Sequence, residues 1–288
     1  MKISISARTD VGKRREENED DLVFCSDLER LEWNSKSSGG YFKLGKLGAL
    51  AVVADGMGGA NAGETASRLA IESIKGCFCC DNLEEVSRQS IALFMQKSIK
   101  EADEAILKRV VDDPETIGMG TTIVMAWCIG HMAYVAWCGD SRCYVFNPKC
   151  GLKCLTKDHS YVQELVDKGE LSVDETYFHP DSNVITRCLG DTDSPSDADF
   201  IEYEMQPNDT LLLCSDGLCG YCKDKIIEDV MYRHISNVDG CCQALIETAL
   251  AAGGYDNTSV LLMSMIADGS TRVSVPVGRK ISRFFRFR

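Results

Sequence analysis

The sequence lacks any run of about 18 apolar residues that could cross a bilayer, and its N-terminus does not lead from basic residues into an apolar stretch. Basic residues are also scarce, because 31 lysines and arginines stand against 44 aspartates and glutamates and leave a formal net charge of -13. A surface with this charge repels nucleic acid and anionic lipid. We therefore expect a cytoplasmic protein with no integral membrane segment and no nucleic-acid partner.

Motifs of several catalytic and nucleotide-binding classes are missing as well. The HExxH zinc motif and the GxxxxGK[ST] phosphate loop do not occur, and no cysteine is followed six positions later by an arginine, which excludes cysteine-dependent phosphatase chemistry. The glycine-rich segment 56–61 has Asn61 where a dinucleotide-binding loop has its last glycine. These absences argue against a zinc metalloprotease, a nucleotide-binding protein and an enzyme with a cysteine nucleophile.

The chain has no second CxxC pair to accompany Cys219 and Cys222, so the spacing of a zinc finger is absent. Most of the fifteen cysteines fall in apolar runs such as Trp127-Cys128-Ile129, where reduced cysteine acts as a small hydrophobic residue. We expect structural thiols in a reducing compartment.

No internal repeat or low-complexity block divides the chain, and 288 residues suit one large domain. From Gly269 onward there is no acidic residue, while arginines accumulate beside phenylalanines. We therefore expect a domain over residues 1–268 and a basic aromatic tail over 269–288. A flexible or folded-back terminus is favoured for this tail over a contact with lipid or a partner protein.

Apolar and β-branched segments predict strands that follow one another with short turns between them, above all over residues 121–146. Strict alternation of strands and helices is absent, which favours antiparallel sheets covered by helices, an α+β sandwich. The predicted strands are Ile3–Ala7, Leu22–Cys25, Leu50–Ala54, Thr121–Ile129, Ala133–Cys138, Arg142–Phe146, Thr210–Cys214 and Thr258–Ile266. The predicted helices are Glu64–Ile74, Leu83–Val110, Tyr161–Lys168, Lys223–Tyr232 and Cys241–Ala252.

Acidic residues stand at the ends of these strands. Asp55, Asp140 and Asp216 each follow an apolar strand, Asp256 precedes one, and Glu19 and Asp20 come just before another. A single such residue is typical of a turn or a helix cap. A whole set of them is different, because ionised carboxylates against an apolar core are costly unless cations neutralise them. All-oxygen ligands select hard cations such as Mg²⁺ or Mn²⁺ over Zn²⁺.

Short motifs around these acids occur in an order that resembles the PPM family, the metal-dependent serine/threonine protein phosphatases of type 2C, and most closely its bacterial branch. The matching strings are GKRREENED (12–20), VADGMGG (53–59), GTT (120–122), GDSR (139–142), DHS (158–160), ITRCLG (185–190), SDG (215–217) and DN (256–257). Each string alone is weak, but together they cover roughly residues 5–266. The resemblance implies a four-layer αββα sandwich in which helices flank two antiparallel β-sheets.

The resemblance also assigns roles to individual residues. It implies that Asp55 bridges two metal ions and that Asp216 and Asp256 complete one site. Glu19, the carbonyl of Gly56 and waters held partly by Asp20 would complete the other. Arg15 matches the arginine that grips the phosphate, which its planar guanidinium suits.

The resemblance also bears on a third metal ion. Asp140 matches the ligand of a third ion in bacterial relatives, but Gly220 stands where an acid often helps to hold that ion.

Three further features concern the surroundings of the site. Met57 stands where animal relatives carry a histidine proposed as general acid. His159 is expected to be structural, and residues 161–181 resemble the family flap beside the active site.

The implied function is hydrolysis of phosphoserine and phosphothreonine in proteins by water activated between two divalent cations, Mn²⁺ or Mg²⁺, in a monomer that opposes a Ser/Thr kinase. The alternative is a catalytically silent, PPM-like binding or regulatory module. Silent relatives lose metal ligands, and this chain keeps the core set, which favours the enzyme. A phosphatase of stress-signalling regulators is a third reading that the sequence does not separate from the first.

Overall fold

Two antiparallel β-sheets form the centre of the molecule. The computed structural model describes residues 2–35, 37–58, 62–79, 83, 86–193 and 195–266. The predicted tail, residues 269–288, lies outside the described residues, as do Gly59 and Asn61 of the glycine-rich segment. In chain order the strands are β1 (Lys2–Asp10), β2 (Asp20–Cys25), β3 (Trp33–Asn34), β4 (Ser37–Lys43), β5 (Ala49–Met57), β6 (Gly120–Thr121), β7 (Ile123–Ile129), β8 (Met132–Cys138), β9 (Arg142–Asn147), β10 (Gly151–Cys154), β11 (Asp199–Glu204), β12 (Thr210–Cys214) and β13 (Thr258–Ile266).

The strand order separates the two sheets. One sheet runs β10-β9-β12-β13-β1-β4, and the other runs β11-β8-β7-β5-β2-β3 with β6 paired to β5. Neighbouring strands are antiparallel throughout, for example Cys214 opposite Val260 and Asp20 opposite Asp55. The predicted antiparallel arrangement is confirmed.

Helices cover the outer face of each sheet. In chain order they are α1 (Ala62–Cys77), α2 (Ile91–Asp112), α3 (Tyr161–Asp167), α4 (Val173–Thr176), α5 (Asp216–Cys219), α6 (Asp224–His234) and α7 (Val238–Ala251). Helices α1 and α2 share a buried apolar cluster with the β5 sheet, and α5 to α7 share another with the β12 sheet. The layers are therefore helix, sheet, sheet, helix, as predicted. Among the described residues, no helix combines the length and apolar character needed to cross a membrane.

Strand β5 shows why the central strands are apolar along their whole length. Leu50 and Val52 pack in the cluster beneath the helices, whereas Ala51 and Val53 pack in the cluster between the sheets. Alternate side chains of a strand point to opposite faces, so a strand covered on both sides needs apolar residues at consecutive positions. All four side chains are fully buried.

The prediction of one helix over Leu83–Val110 was wrong at its start. Helix α2 begins at Ile91, and residues 88–90 form a 3₁₀ turn before it. The hydroxyl of Ser90 donates to the carbonyl of Ser87, and the two hydroxyls lie 3.1 Å apart. Serine side chains that bond to nearby backbone in this way compete with helix formation.

Candidate active site

Acidic side chains from distant parts of the chain gather at one end of the two sheets. Strand β2 begins there, β5 and β12 end there, and β13 begins there, because neighbouring strands run in opposite directions. The negative charges of Asp20, Asp140, Asp216 and Asp256 all act on Asp55. The negative charge of Asp256 also acts on Asp216. The strand-end acids singled out from the sequence therefore lie together.

Burial and mutual repulsion make these carboxyl groups poor at holding negative charge. Burial, followed by repulsion from neighbouring acids, raises the pKa of Asp20 to about 7 and that of Asp216 to about 6. The same causes raise the pKa values of Asp55 and Asp140 well above the ordinary range. Burial also raises the pKa of Glu19. A nearby cation would remove this penalty, because it favours the charged form of each acid.

Two buried carboxylate oxygens support a cation at this place. Oδ1 of Asp20 and Oδ1 of Asp140 have no hydrogen-bond partner within the described part of the chain, although each residue is only 7% exposed. Buried polar atoms are normally paired, so these two oxygens can each accept a hydrogen bond from water or bind an ion. No three acidic, histidine or cysteine side chains of the described ranges stand in a ready metal-ligand arrangement. Mg²⁺-like ions need only a few protein carboxylates, because they keep several waters, so the all-oxygen set fits them.

Arg15 lies at the rim of the acidic centre. One guanidinium nitrogen donates to Oδ2 of Asp256 over 2.8 Å, and another lies 3.9 Å from Oε2 of Glu19. The arginine side chain is 48% exposed, so its remaining N–H groups are open to solvent. A guanidinium in this position can present paired donors to a phosphate that enters from outside.

The backbone at Glu19 packs directly against Gly56, with no room for a side chain at position 56. The carbonyl of Glu19 accepts hydrogen bonds from the Ser67 hydroxyl and from the backbone N–H of Gly56. A Cβ atom on Gly56 would lie 2.2 Å from the carbonyl oxygen of Gly63 and 2.5 Å from that of Glu19. Glycine at position 56 therefore lets the end of β5 touch both the Glu19 loop and the beginning of α1.

Asn257 was quoted as part of a motif but not assigned a role, and the structure shows what it does. Its Oδ1 accepts from the backbone N–H of Glu19, and its Nδ2 donates to the carbonyls of Val11 and Glu17. Its own backbone N–H donates to Oδ1 of Asp256. Asn257 is buried, and it joins the N-terminal loop, which carries Glu19, to Asp256 through its side chain and its backbone together. Only its place directly after a predicted ligand could have indicated this role.

Ser215 is a second positioning residue that sequence reasoning missed. Its hydroxyl donates to Oδ2 of Asp20 over 2.7 Å and accepts from the backbone N–H of Ser259 over 2.9 Å. The serine thus orients Asp20, so that only Oδ1 of that carboxylate is left without a partner.

Asp140 stands in a turn that other side chains hold in place. The Nδ1 atom of His159 accepts from the backbone N–H of Gly139, and the His159 ring stacks on Trp137. Burial lowers the pKa of His159, which keeps the ring neutral as this acceptor role requires. The geometry is that of a structural histidine, as predicted.

A third ion near Asp140 would find few free ligands. Gly220 lines the cavity next to Asp140 and Asp216 and offers no side chain. Asp158 lies nearby, but two hydrogen bonds of 2.8 and 2.6 Å tie both its oxygens to Arg142. Occupancy of a third site stays a prediction.

Comparisons with known proteins found similar sequences and structures. Residues 39–252 match the family model described as Protein phosphatase 2C. The serine/threonine phosphatase stp of Listeria welshimeri is 32% identical over 240 residues, which are 83% of this chain and 94% of that protein. Protein phosphatase PhpP of Streptococcus pneumoniae is 31% identical over 265 residues, 91% of this chain and 98% of that protein. The catalytic domain of the serine threonine protein phosphatase PstP, solved in complex with two manganese ions, has a similar structure with a TM-score of 0.73 and 28% identity, covering 93% of this chain and 100% of that one.

Proposed function

Because the chain belongs to the protein phosphatase 2C family, the type 2C members of the PPM family, we propose that its acidic centre holds the divalent cations of a serine/threonine protein phosphatase. The predicted family, fold and enzyme class are confirmed by the family match and the named relatives. The relative solved with two manganese ions supports a two-metal site, with Mn²⁺ or Mg²⁺ as the ion. The observation that carries the proposal is the group of buried carboxylates with unpaired oxygens at one end of the sheets.

We assign the ligands as the sequence predicted them. Asp55 would hold both ions, as the family resemblance implies, and it lies near enough to Asp20, Asp140, Asp216 and Asp256 to feel their charges. Asp216 and Asp256 would complete one site. Glu19 and the carbonyl of Gly56 would complete the other, since a hydrogen bond already joins their backbones.

Asp20 and Asp140 serve differently in this proposal. Asp20, held by Ser215, would orient waters at the second site through its unpaired Oδ1. Asp140 is the candidate ligand of a third, weaker ion.

The residues then divide the chemistry among themselves. When bound, the two cations supply the positive charge that acidifies a shared water and aligns it for in-line attack on phosphorus. Arg15 would hold the phosphate oxygens through paired hydrogen bonds from its solvent-exposed N–H groups, while one nitrogen stays bonded to Asp256. Met57 cannot act as an acid, so the serine or threonine leaving oxygen takes its proton from water held at the acidic centre.

We propose phosphoserine and phosphothreonine proteins as substrates, a Ser/Thr kinase as the opposing enzyme, a signalling role in the cytoplasm, and a monomer as the active form. We also propose that the phosphatase domain spans residues 1–268 and that residues 269–288 form a separate tail.

A metal-dependent turnover assay tests the function. With p-nitrophenyl phosphate as substrate, the protein should turn over in Mn²⁺ and stop in excess chelator. Asp216→Asn should lower kcat at least a hundredfold while the protein stays folded by circular dichroism, because a ligand is lost but no buried charge is added. Asp113→Asn is the matched control, since this acid pairs with Arg109 on the surface and should leave kcat unchanged.

The same assay separates the enzyme from a catalytically silent module. A folded wild-type protein without turnover in Mn²⁺ would favour the module. Wild-type turnover in the Asp216→Asn variant would instead contradict the ligand assignment.

A further inference from the structure

A cavity of about 110 Å³ opens beside the acidic centre and is walled by two different parts of the chain. One wall belongs to the core and includes Asp140, Asp216 and Tyr221. The other belongs to the flap, residues 161–181, and includes Val162 of α3 and Tyr177 at the end of α4. The cavity is continuous with the catalytic acids. A peptide whose phosphorylated residue reaches these acids would place a neighbouring residue in this cavity.

The outer end of the flap has few attachments to the core. At the base of the flap, the backbone N–H of Tyr161 donates to the carbonyl of Val184, and Ser160 pairs with Ile185. Farther out, α4 packs against α3, which belongs to the flap itself. The position of the flap wall therefore depends on side-chain contacts between α4 and the core.

Lys223, just before α6, makes three such contacts. Its ammonium group forms an ion pair with Asp174 of α4. The same group lies 5.7 Å from the centre of the Tyr177 ring and 5.9 Å from the centre of the Phe178 ring. On the inner side, Arg142 of the core and Tyr177 of the flap line the same cavity. One lysine thus joins three flap residues to the core.

We propose that Lys223 is a positioning residue for substrate selection, which fastens the flap so that the cavity binds a residue next to the phosphorylated serine or threonine of a protein substrate. This inference rests on the proposed phosphatase function. Two classes of substrate should differ in their dependence on the cavity. A phosphopeptide uses the cavity, whereas p-nitrophenyl phosphate is too small to need it.

The side chain of Lys223 can be changed without disturbing the helix that follows. It stands at the N-cap of α6 but makes no capping hydrogen bond. Lys225 provides a matched control on the same helix, because it pairs with Glu228 and Asp229 of α6 itself. Lys223→Met and Lys225→Met remove the same charge from neighbouring positions, and only the first touches the flap.

The test compares Michaelis constants for a phosphothreonine peptide and for p-nitrophenyl phosphate in Mn²⁺. Lys223→Met should raise KM for the peptide roughly threefold to tenfold, the size expected from one exposed ion pair and two cation–π contacts, and leave kcat for both substrates within about twofold. Lys225→Met should leave both constants unchanged. Lys223→Arg should restore the peptide KM, because a guanidinium keeps the ion pair and the ring contacts.

A second readout does not depend on catalysis. Hydrogen exchange of the backbone amides of residues 172–178 should be faster in Lys223→Met and in Asp174→Asn than in Lys225→Met. Equal exchange in all three variants, or an equal peptide KM in Lys223→Met and Lys225→Met, would overturn the proposal. So would a parallel loss of turnover with both substrates. Absence of p-nitrophenyl phosphate turnover in the wild type would instead count against the proposed function, while the exchange data still decide whether Lys223 fastens the flap.

Discussion

At the level of single residues, the acidic centre depends on uncharged side chains that hold the acids in place. Asn257 is buried and makes four hydrogen bonds, which reach the backbone of Val11, Glu17 and Glu19 and the side chain of Asp256. Asn257 therefore supports both proposed metal sites, the Glu19 side through its amide side chain and Asp256 through its backbone N–H.

We predict that Asn257→Ala weakens both the fold and the metal sites. The substitution removes the side-chain partner of the Glu19 N–H group and two donated hydrogen bonds, at a cost of about 1–3 kcal/mol for each backbone group that finds no replacement. The free energy of unfolding in urea should fall by about 2–4 kcal/mol. The Mn²⁺ concentration for half-maximal activity should rise at least about tenfold, as with other residues that orient metal ligands.

Asn34→Ala is the control for this prediction. Asn34 is exposed, and within the described part of the chain its side chain donates to the nearby carbonyl of Glu32. It should change neither quantity. A fully stable Asn257→Ala variant with the wild-type Mn²⁺ requirement would show that the amide does not support the site.

At the level of secondary-structure elements, the beginning of α1 packs on the end of β5 through two glycines. A Cβ atom on Gly56 would lie 2.2 and 2.5 Å from backbone oxygen atoms. Because these are backbone atoms, relieving the clash would require a shift of the main chain. The site geometry therefore depends on the absence of a side chain at this position.

We predict that Gly56→Ala destabilises the protein by at least about 2 kcal/mol, because overpacking forces the backbone apart. Gly76→Ala is the matched control in α1, since a Cβ atom there would have no neighbour within 4 Å. Alanine at position 76 should be neutral or stabilise by up to about 1 kcal/mol, as expected for glycine replaced within a helix. Thermal unfolding of the two variants measures the difference. Equal melting temperatures would contradict the close packing at Gly56.

The elements that the sequence predicted well are those with an unbroken apolar pattern. Strands β12 and β13 have the predicted bounds, because both faces are covered and every position is apolar or small. Strand β4, with the sequence SSGGYFK, carries no such pattern and was missed. Strand β11, DFIEYE, is an edge strand whose apolar residues are only half-buried, so its signal was weak.

The acidic residues of the candidate site could be predicted from the sequence, but the uncharged residues that hold them in place could not. Acids after apolar strands are conspicuous, and the structure brings them together. Ser215 and Asn257 are uncharged polar residues that no local sequence pattern singles out. Their role depends on hydrogen bonds to residues more than 190 positions away. Long-range pairing of this kind follows from the sheet order, which local patterns do not specify.

At the level of the whole molecule, the acidic centre should make stability depend on pH and metal. The pKa of Asp20 is about 7 in the folded protein against 3.8 for a free side chain, and that of Asp216 is about 6. The folded protein therefore binds more protons than the unfolded chain across this range, so the stabilising contribution is complete below about pH 4 and is lost as pH rises through the folded pKa values.

We predict that in the presence of chelator the free energy of unfolding falls by about 1–3 kcal/mol between pH 5 and pH 7.5. Asp20→Asn should reduce this fall, because the amide does not titrate. Saturating Mn²⁺ at pH 7.5 should restore the stability, since a ligand that binds only the folded state stabilises it. Urea unfolding at several pH values gives the result. A metal-free protein whose stability rises over this pH range would contradict the account.

The central claim is that carboxylates from distant parts of the chain hold two divalent cations at one end of the sheets. Anomalous X-ray scattering at the manganese edge, on crystals grown with Mn²⁺, tests it most directly. We expect two manganese peaks about 3.5–4 Å apart, with Asp55 bound to both and Asp216 and Asp256 bound to one. Manganese-dependent turnover in solution together with peaks away from Asp55, or with none, would contradict it.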